Sequence, residues 1–188
     1  QGSYGMGLGF MCNGANLAYT KTHFQELQGF SGNDALASGD DVFLLQKSMR
    51  FKPSKVHYLL SASHVVLTKT EQSWKQLLIQ RTRWASKTGH YNSVFGKDLA
   101  VWVLAGNLSW IVLGSLTIAA HTLVYWFAAA TVLKFGVDIC LIRLAQKHSP
   151  ISRLKYVFLG SLLYPFYCVF VALHAWPGNY TWKGRRLS

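Results

Sequence analysis

Only seven residues of this chain are acidic, and two of them are adjacent, in Gly39-Asp40-Asp41. Neighbouring carboxylates repel, so a chain this poor in acid has little stability reason to place them together. A carboxylate beside an acceptor hydroxyl can take its proton as the oxygen attacks, and Asp41 reads as such a base. Thirty-nine residues after Asp41 comes Gln80-Arg81-Thr82-Arg83-Trp84. An arginine fork matches phosphate oxygens and stabilises a leaving diphosphate. An indole offers a flat partner for the C–H face of a sugar ring. Gln80 precedes Arg83 and Trp84 by one helical turn, so these side chains share a face. Base, cation and stacking surface together suit a single displacement, with inversion, on a nucleotide-sugar. The plain structural reading of the acid pair is a helix cap, since carboxylates are favoured at the positive end of the helix dipole.

The elements around these residues follow from spacing. Gly9–Tyr19 reads as a strand, a turn at Asn13-Gly14 and a second apolar stretch. Thr22–Leu27 fits a short helix that stops at Gly29, and Ser31–Gly39 fits a polar loop. A helix begins at Asp40, carrying Val42, Phe43, Leu44, Leu45 and Met49. Lys55–Leu60 and His64–Thr68 read as short strands. Thr68-Lys69-Thr70-Glu71 has capping-box spacing ahead of a helix over Ser73–Ser86. That helix sets Trp74, Leu77, Leu78, Arg81 and Trp84 on one broad face, with Lys75, Arg83 and Lys87 on its basic side, a pattern suited to a membrane surface.

Composition divides the 188 residues in two. Residues 1–98 hold eleven of the nineteen basic residues and six of the seven acids, whereas 99–188 hold one acid, Asp138. Three apolar segments follow the boundary: Leu99–Ala120, Thr122–Ile142 and Tyr156–Trp176, the last with Pro165 as a kink. Lys134 and Asp138 are four residues apart and can pair on one helix face. The net charge of +12 would suit nucleic acid in a soluble chain. Here the excess flanks apolar segments, as anionic lipid headgroups and the positive-inside rule would have it, and no nucleic-acid partner is expected. Cys12, Cys140 and Cys168 have no metal-ligand spacing. The opening Gln1-Gly2-Ser3-Tyr4-Gly5 reads as the middle of a longer protein.

Gly39-Asp40-Asp41 and Gln80-Arg81-Thr82-Arg83-Trp84 resemble the catalytic-base and Q(Q/R)xRW signatures of processive, membrane-bound family 2 glycosyltransferases of bacterial type, the group of hyaluronan, chitin and cellulose synthases. Cys12-Asn13-Gly14-Ala15-Asn16-Leu17-Ala18-Tyr19 resembles their acceptor-site loop, and Phe24–Phe30 a "GGF"-like element. The resemblance implies an α/β fold plus membrane α-helices. Residues 1–98 would be the C-terminal part of a GT-A catalytic domain with an amphipathic interfacial helix, and 99–188 a region of about three transmembrane helices. It implies Asp41 as catalytic base, with Asp40 orienting it or capping the helix. Gln80, Arg81 and Arg83 would hold the donor diphosphate. Trp84, Asn13, Gly14 and Asn16 would shape the acceptor site. The partners implied are a nucleotide-sugar, a glycan or lipid-linked acceptor and the bilayer, at the cytoplasmic face of a bacterial inner membrane. Mg²⁺ or Mn²⁺ is expected in the intact enzyme, held mainly by a preceding half with its Asp-x-Asp motif, so this chain is expected to be an inactive fragment on its own, with no metal site of its own. Two departures stand out: Gly-Asp-Asp replaces the commoner Glu-Asp, and Thr20-Lys21 replaces a basic pair.

Two other readings compete. Gly-Asp-Asp also marks RNA-dependent polymerases, but those need a further aspartate motif and have no use for an Arg-Trp motif or apolar spans. A non-enzymatic transport or channel module would use Lys134 and Asp138 instead of Asp41.

Overall fold

The computed structural model describes residues 2–32, 39–147, 155–176, 180–182 and 185–187. Helices dominate it: α1 (Gly2–Gly5), α2 (Lys21–Glu26), α3 (Asp40–Phe51), α4 (Trp74–Ser86), α5 (Val94–Ala119), α6 (Val124–Gln146) and α7 (Val157–Ala175). Among the described residues the only strands are β1 (Tyr180–Trp182) and β2 (Arg185–Leu187), paired antiparallel with Tyr180 opposite Leu187. The α/β expectation and its partial GT-A domain are therefore corrected: no sheet underlies the described residues of 9–68.

The physical reason is a want of partners. The backbone at Val56 and Val65 is extended, as the sequence predicts, but each follows a one-turn 3₁₀ helix, Pro53–Lys55 or Ala62–His64. Among the described residues no backbone hydrogen bond involves 57–60 or 66–68, and a strand exists only through its ladder. Asn13 and Leu17 are likewise extended, with a 3₁₀ turn, Gly14–Asn16, between them. Leu59, Val66 and Leu67 stay exposed as a result.

The helices start and stop where the chemistry allows. Thr20 caps α2, its hydroxyl accepting from His23 N at 3.1 Å. Ser73 caps α4 by accepting from Gln76 N at 3.2 Å, so the capping-box spacing at Thr68–Glu71 is not used. Ser93 caps α5, accepting from Gly96 N at 3.1 Å. That helix starts ahead of the predicted Leu99, and the boundary drawn near Asp98 falls inside it. Part of the predicted loop, residues 33–38, lies outside the described residues.

Val42, Phe43 and Tyr91 form a small buried cluster, with Cys12 packed against it. Buried Gln46 binds this region together: its Nε2 donates to Phe10 O at 3.2 Å and its Oε1 accepts from Asn92 N at 2.8 Å. Lys47 Nζ reaches over α2's end to donate to Gly29 O at 2.8 Å and Ser31 O at 2.5 Å.

Two helices, α5 and α7, are long and apolar enough to cross a membrane. The third expected span, α6, is a continuous helix of 23 residues that carries Lys134 and Asp138 near its middle. It packs against both of the others, which also pack directly against each other. Trp110 Nε1 donates to Thr131 Oγ1 at 3.0 Å, and Phe135 stacks on Phe158 with ring centroids 4.7 Å apart. The helix α4, expected to lie on a membrane surface, is docked against α7.

Candidate functional site

The acid pair opens α3. Gly39 precedes it in the left-handed region at φ +100°, a conformation that strains any residue with a Cβ. Asp40 and Asp41 then occupy the first turn, where the helix dipole favours negative charge. Asp41 Oδ1 accepts from Val42 N at 2.9 Å, a local contact within the first turn, while the N-cap itself is Gly39 and makes no side-chain cap. Asp41 Oδ2 does something else: it accepts from Gly14 N at 2.7 Å, across twenty-seven residues of chain. A Cβ on Gly14 would sit 3.4 Å from that oxygen, an ordinary van der Waals contact.

Gly14 belongs to the 3₁₀ turn predicted to shape the acceptor site. Asn13 Oδ1 caps that turn by accepting from Ala15 N at 3.0 Å, and Asn16 Nδ2 donates to His64 O at 2.6 Å. The fold thus brings Gly14, and with it the turn that Asn13 caps, to Asp41. Asn13 and Asn16, with Tyr4, Tyr58 and His57, line an open cleft of about 790 Å³ that Asp41 itself does not line.

Cys12 and Tyr91 register the Asp41 charge. Burial, and then the Asp41 carboxylate, push the Cys12 thiol up to about 12. Burial, followed by Asp41 and Cys12, raises the Tyr91 phenol. Tyr91 meets Phe43 edge-on at 5.8 Å. The carboxylate therefore stands at the rim of an apolar patch, where charge is felt more strongly than in open water.

The second cluster lies on α4 and is less unified than its spacing suggests. Gln80 Nε2 donates to Glu71 Oε1 at 2.5 Å, which commits the amide away from Arg83. The Arg81 guanidinium lies 4.6 Å from the centre of the Trp84 ring, a cation–π contact. Trp84 retains 37% of its surface exposed. Arg83 lies one turn before Lys87, and the two cations act on each other.

Lys87 connects the clusters, and sequence reasoning left it as one more charge on the basic side of a helix. It is buried, and Asp40 and Asp41 both act on it. Burial first, and then Arg83, draw its ammonium below the usual lysine range, while the two aspartates oppose that shift. Its place one turn after Arg83 was the available signal. Its burial against the acid pair depends on the fold.

Among the described residues no three His, Cys, Asp or Glu side chains converge to hold an ion. No family model, curated protein or solved structure matches the chain.

Proposed function

We propose that this protein is a membrane-associated, inverting glycosyltransferase that moves a sugar from a nucleotide-sugar to a glycan or lipid-linked acceptor at the cytoplasmic face of a bacterial inner membrane. The observation that carries this reading is the Asp41 carboxylate held on the Asn13–Asn16 turn, with Arg83 and Trp84 on the next long helix. The acceptor hydroxyl gives its proton to Asp41 as its oxygen bonds to the anomeric carbon. The bond from that carbon to the diphosphate breaks, and the nucleoside diphosphate leaves with the electron pair. Arg83 offers the developing negative charge a planar, permanently charged partner. The exposed part of Trp84 offers the acceptor sugar an apolar face.

The test is release of nucleoside diphosphate from a panel of nucleotide-sugars by membranes carrying the full-length protein. Asp41→Asn is expected to lower turnover by about 100-fold or more while donor binding persists. An Asp41→Asn protein that turns over normally would refute the base assignment. Arg83→Ala is expected to weaken nucleoside-diphosphate binding, read by calorimetry.

The transport reading has less to stand on. The three hydrogens of the Lys134 ammonium are matched by three acceptors: Asp138 Oδ2 at 2.5 Å, Ser161 O at 2.8 Å and Ser161 Oγ at 3.1 Å. A saturated lysine of this kind favours a structural clamp over an ion path.

A further inference from the structure

We propose that the open cleft lined by Asn13, Asn16, Tyr19 and Tyr58 is a binding site for a neutral oligosaccharide, distinct from the place where Asp41 would act. The proposal is independent of the transfer reading, because binding is read without turnover.

The cleft, of about 790 Å³, has the size of a small-ligand site. Its hydrogen-bonding groups are of both kinds. Asn13 spends its Oδ1 on Ala15 N at 3.0 Å, which leaves Nδ2 as a donor. Asn16 does the opposite: its Nδ2 is spent on His64 O at 2.6 Å, which leaves Oδ1 as an acceptor. His57, Tyr58, Leu59, Val66 and Thr68 also line the cleft, and their N–H and C=O groups make no backbone hydrogen bond among the described residues. A ligand that fills the cleft must answer donors and acceptors together, and a hydroxyl does both with one atom.

The aromatic rings supply flat faces held in place from behind. Tyr58 stacks on Tyr4 with centroids 4.7 Å apart, and Tyr4 is itself tied down by its hydroxyl, which donates to Met11 O at 2.8 Å. Tyr19 is backed in the same way by Phe24, at 5.5 Å. Tyr58 keeps 45% of its surface exposed and Tyr19 48%. A sugar ring brings C–H groups to such a face and hydroxyls to the polar groups around it.

Charge narrows the ligand further. Among the described residues lining the cleft, the fully charged side chains are Glu26 and Lys55, which lie 3.7 Å apart, and Glu26 also pairs with Lys52. A phosphate or carboxylate ligand would need a cation that is not already committed. A lipid chain would bury the polar groups without partners. An extended peptide could answer the unpaired backbone, but strand addition needs a continuous edge. Here the edge is broken by the 3₁₀ turn Ala62–His64.

The test is calorimetry on the full-length protein in a detergent without a sugar headgroup, with maltotetraose, cellotetraose and chitotetraose as neutral probes and tetragalacturonate as the anionic one. At least one neutral probe is expected to bind more tightly than tetragalacturonate. Tyr58→Ala is expected to weaken that probe about 10-fold, and Tyr58→Phe, which keeps the face, to leave it unchanged. Asn13→Asp keeps the oxygen that caps the turn but loses the donor, and is expected to weaken binding about 5-fold. It decides the matter if Tyr58→Ala fails to fold. Trp84→Ala, on α4, is expected to leave the affinity as it is. Binding that follows Trp84 and ignores Tyr58 and Asn13 would move the saccharide to α4 and overturn the proposal. So would a failure of every neutral probe to bind at millimolar concentration, or binding of an octapeptide of alternating threonine and valine in their place, which would make the cleft a strand-docking surface.

Discussion

The Asp41 carboxylate ties two distant stretches of chain through one hydrogen bond to Gly14, and its neighbours report on it. In a Cys140→Ser/Cys168→Ser background, iodoacetamide should modify Cys12 only at high pH, since its thiol is pushed up to about 12. Asp41→Asn removes one of the two causes. The pH of half-maximal alkylation should then fall, yet stay above the ordinary thiol range, because burial is the larger cause. An unchanged profile would place the carboxylate away from Cys12. Gly39→Ala should cost roughly 1–2 kcal/mol, from forcing a Cβ into a left-handed backbone and against Phe43. A thermal melt of the detergent-solubilised protein reads that loss directly. At this scale the sequence was informative about identity and uninformative about partnership. Two adjacent aspartates in an acid-poor chain stood out, whereas nothing in the spacing of nineteen basic residues marked Lys87 as a buried one.

Helix existence was legible in the apolar spacing, and α2, α3, α4 and the three long helices lie close to where that spacing puts them. Strands were not legible in the same way. Val56–Leu60 and Val65–Leu67 have strand composition, but composition cannot supply a neighbouring edge. The predicted site divided along the same line. Asn13, Gly14, Asn16 and Asp41 come together through local turns and one helix start, while Gln80 is diverted to Glu71 by a contact that spacing cannot reveal. Two element-level contacts give predictions. Gln46 satisfies the backbone of both Phe10 and Asn92, so Gln46→Leu strands two polar groups and should cost about 2–4 kcal/mol. Chemical denaturation in detergent would show it as a lower midpoint. Between α6 and α7, Pro165 lacks the N–H that would have bonded Ser161 O one turn back, and Lys134 supplies the donor instead. Ser161 Oγ also donates to Asp138 Oδ2. Asp138→Ala leaves a mostly buried ammonium without its countercharge and should cost about 3 kcal/mol. The double variant Lys134→Leu/Asp138→Leu should cost less than that single change. The reverse order in thermal stability would mean the pair is worth more than its desolvation.

Whole-molecule topology follows from the directions of the three long helices. Gly114 faces Phe127 while Trp110 meets Thr131 farther along, so α5 and α6 run antiparallel. Trp110 also meets Phe166, whereas Lys134 and Phe135 meet Ser161 and Phe158, so α7 runs antiparallel to α6. It follows that α5 and α7 point the same way. Two parallel helices that both cross a bilayer must be joined by a chain that crosses back, and among the described residues α6 is the only long helix between them. A lone lysine or aspartate at that depth is costly. The Lys134–Asp138–Ser161 clamp lets α6 carry both, since the ammonium, one carboxylate oxygen and the serine hydroxyl find partners inside the bundle. The bilayer should therefore separate His121 from Lys155, with Lys147 and Lys155 on the side where α5 begins. In a background cleared of native cysteines, His121→Cys and Lys155→Cys should react with a membrane-impermeant maleimide from opposite faces of sealed vesicles. Labelling of both from one face would mean that α6 does not cross, and that α5 and α7 cannot both be spans in the arrangement their contacts define.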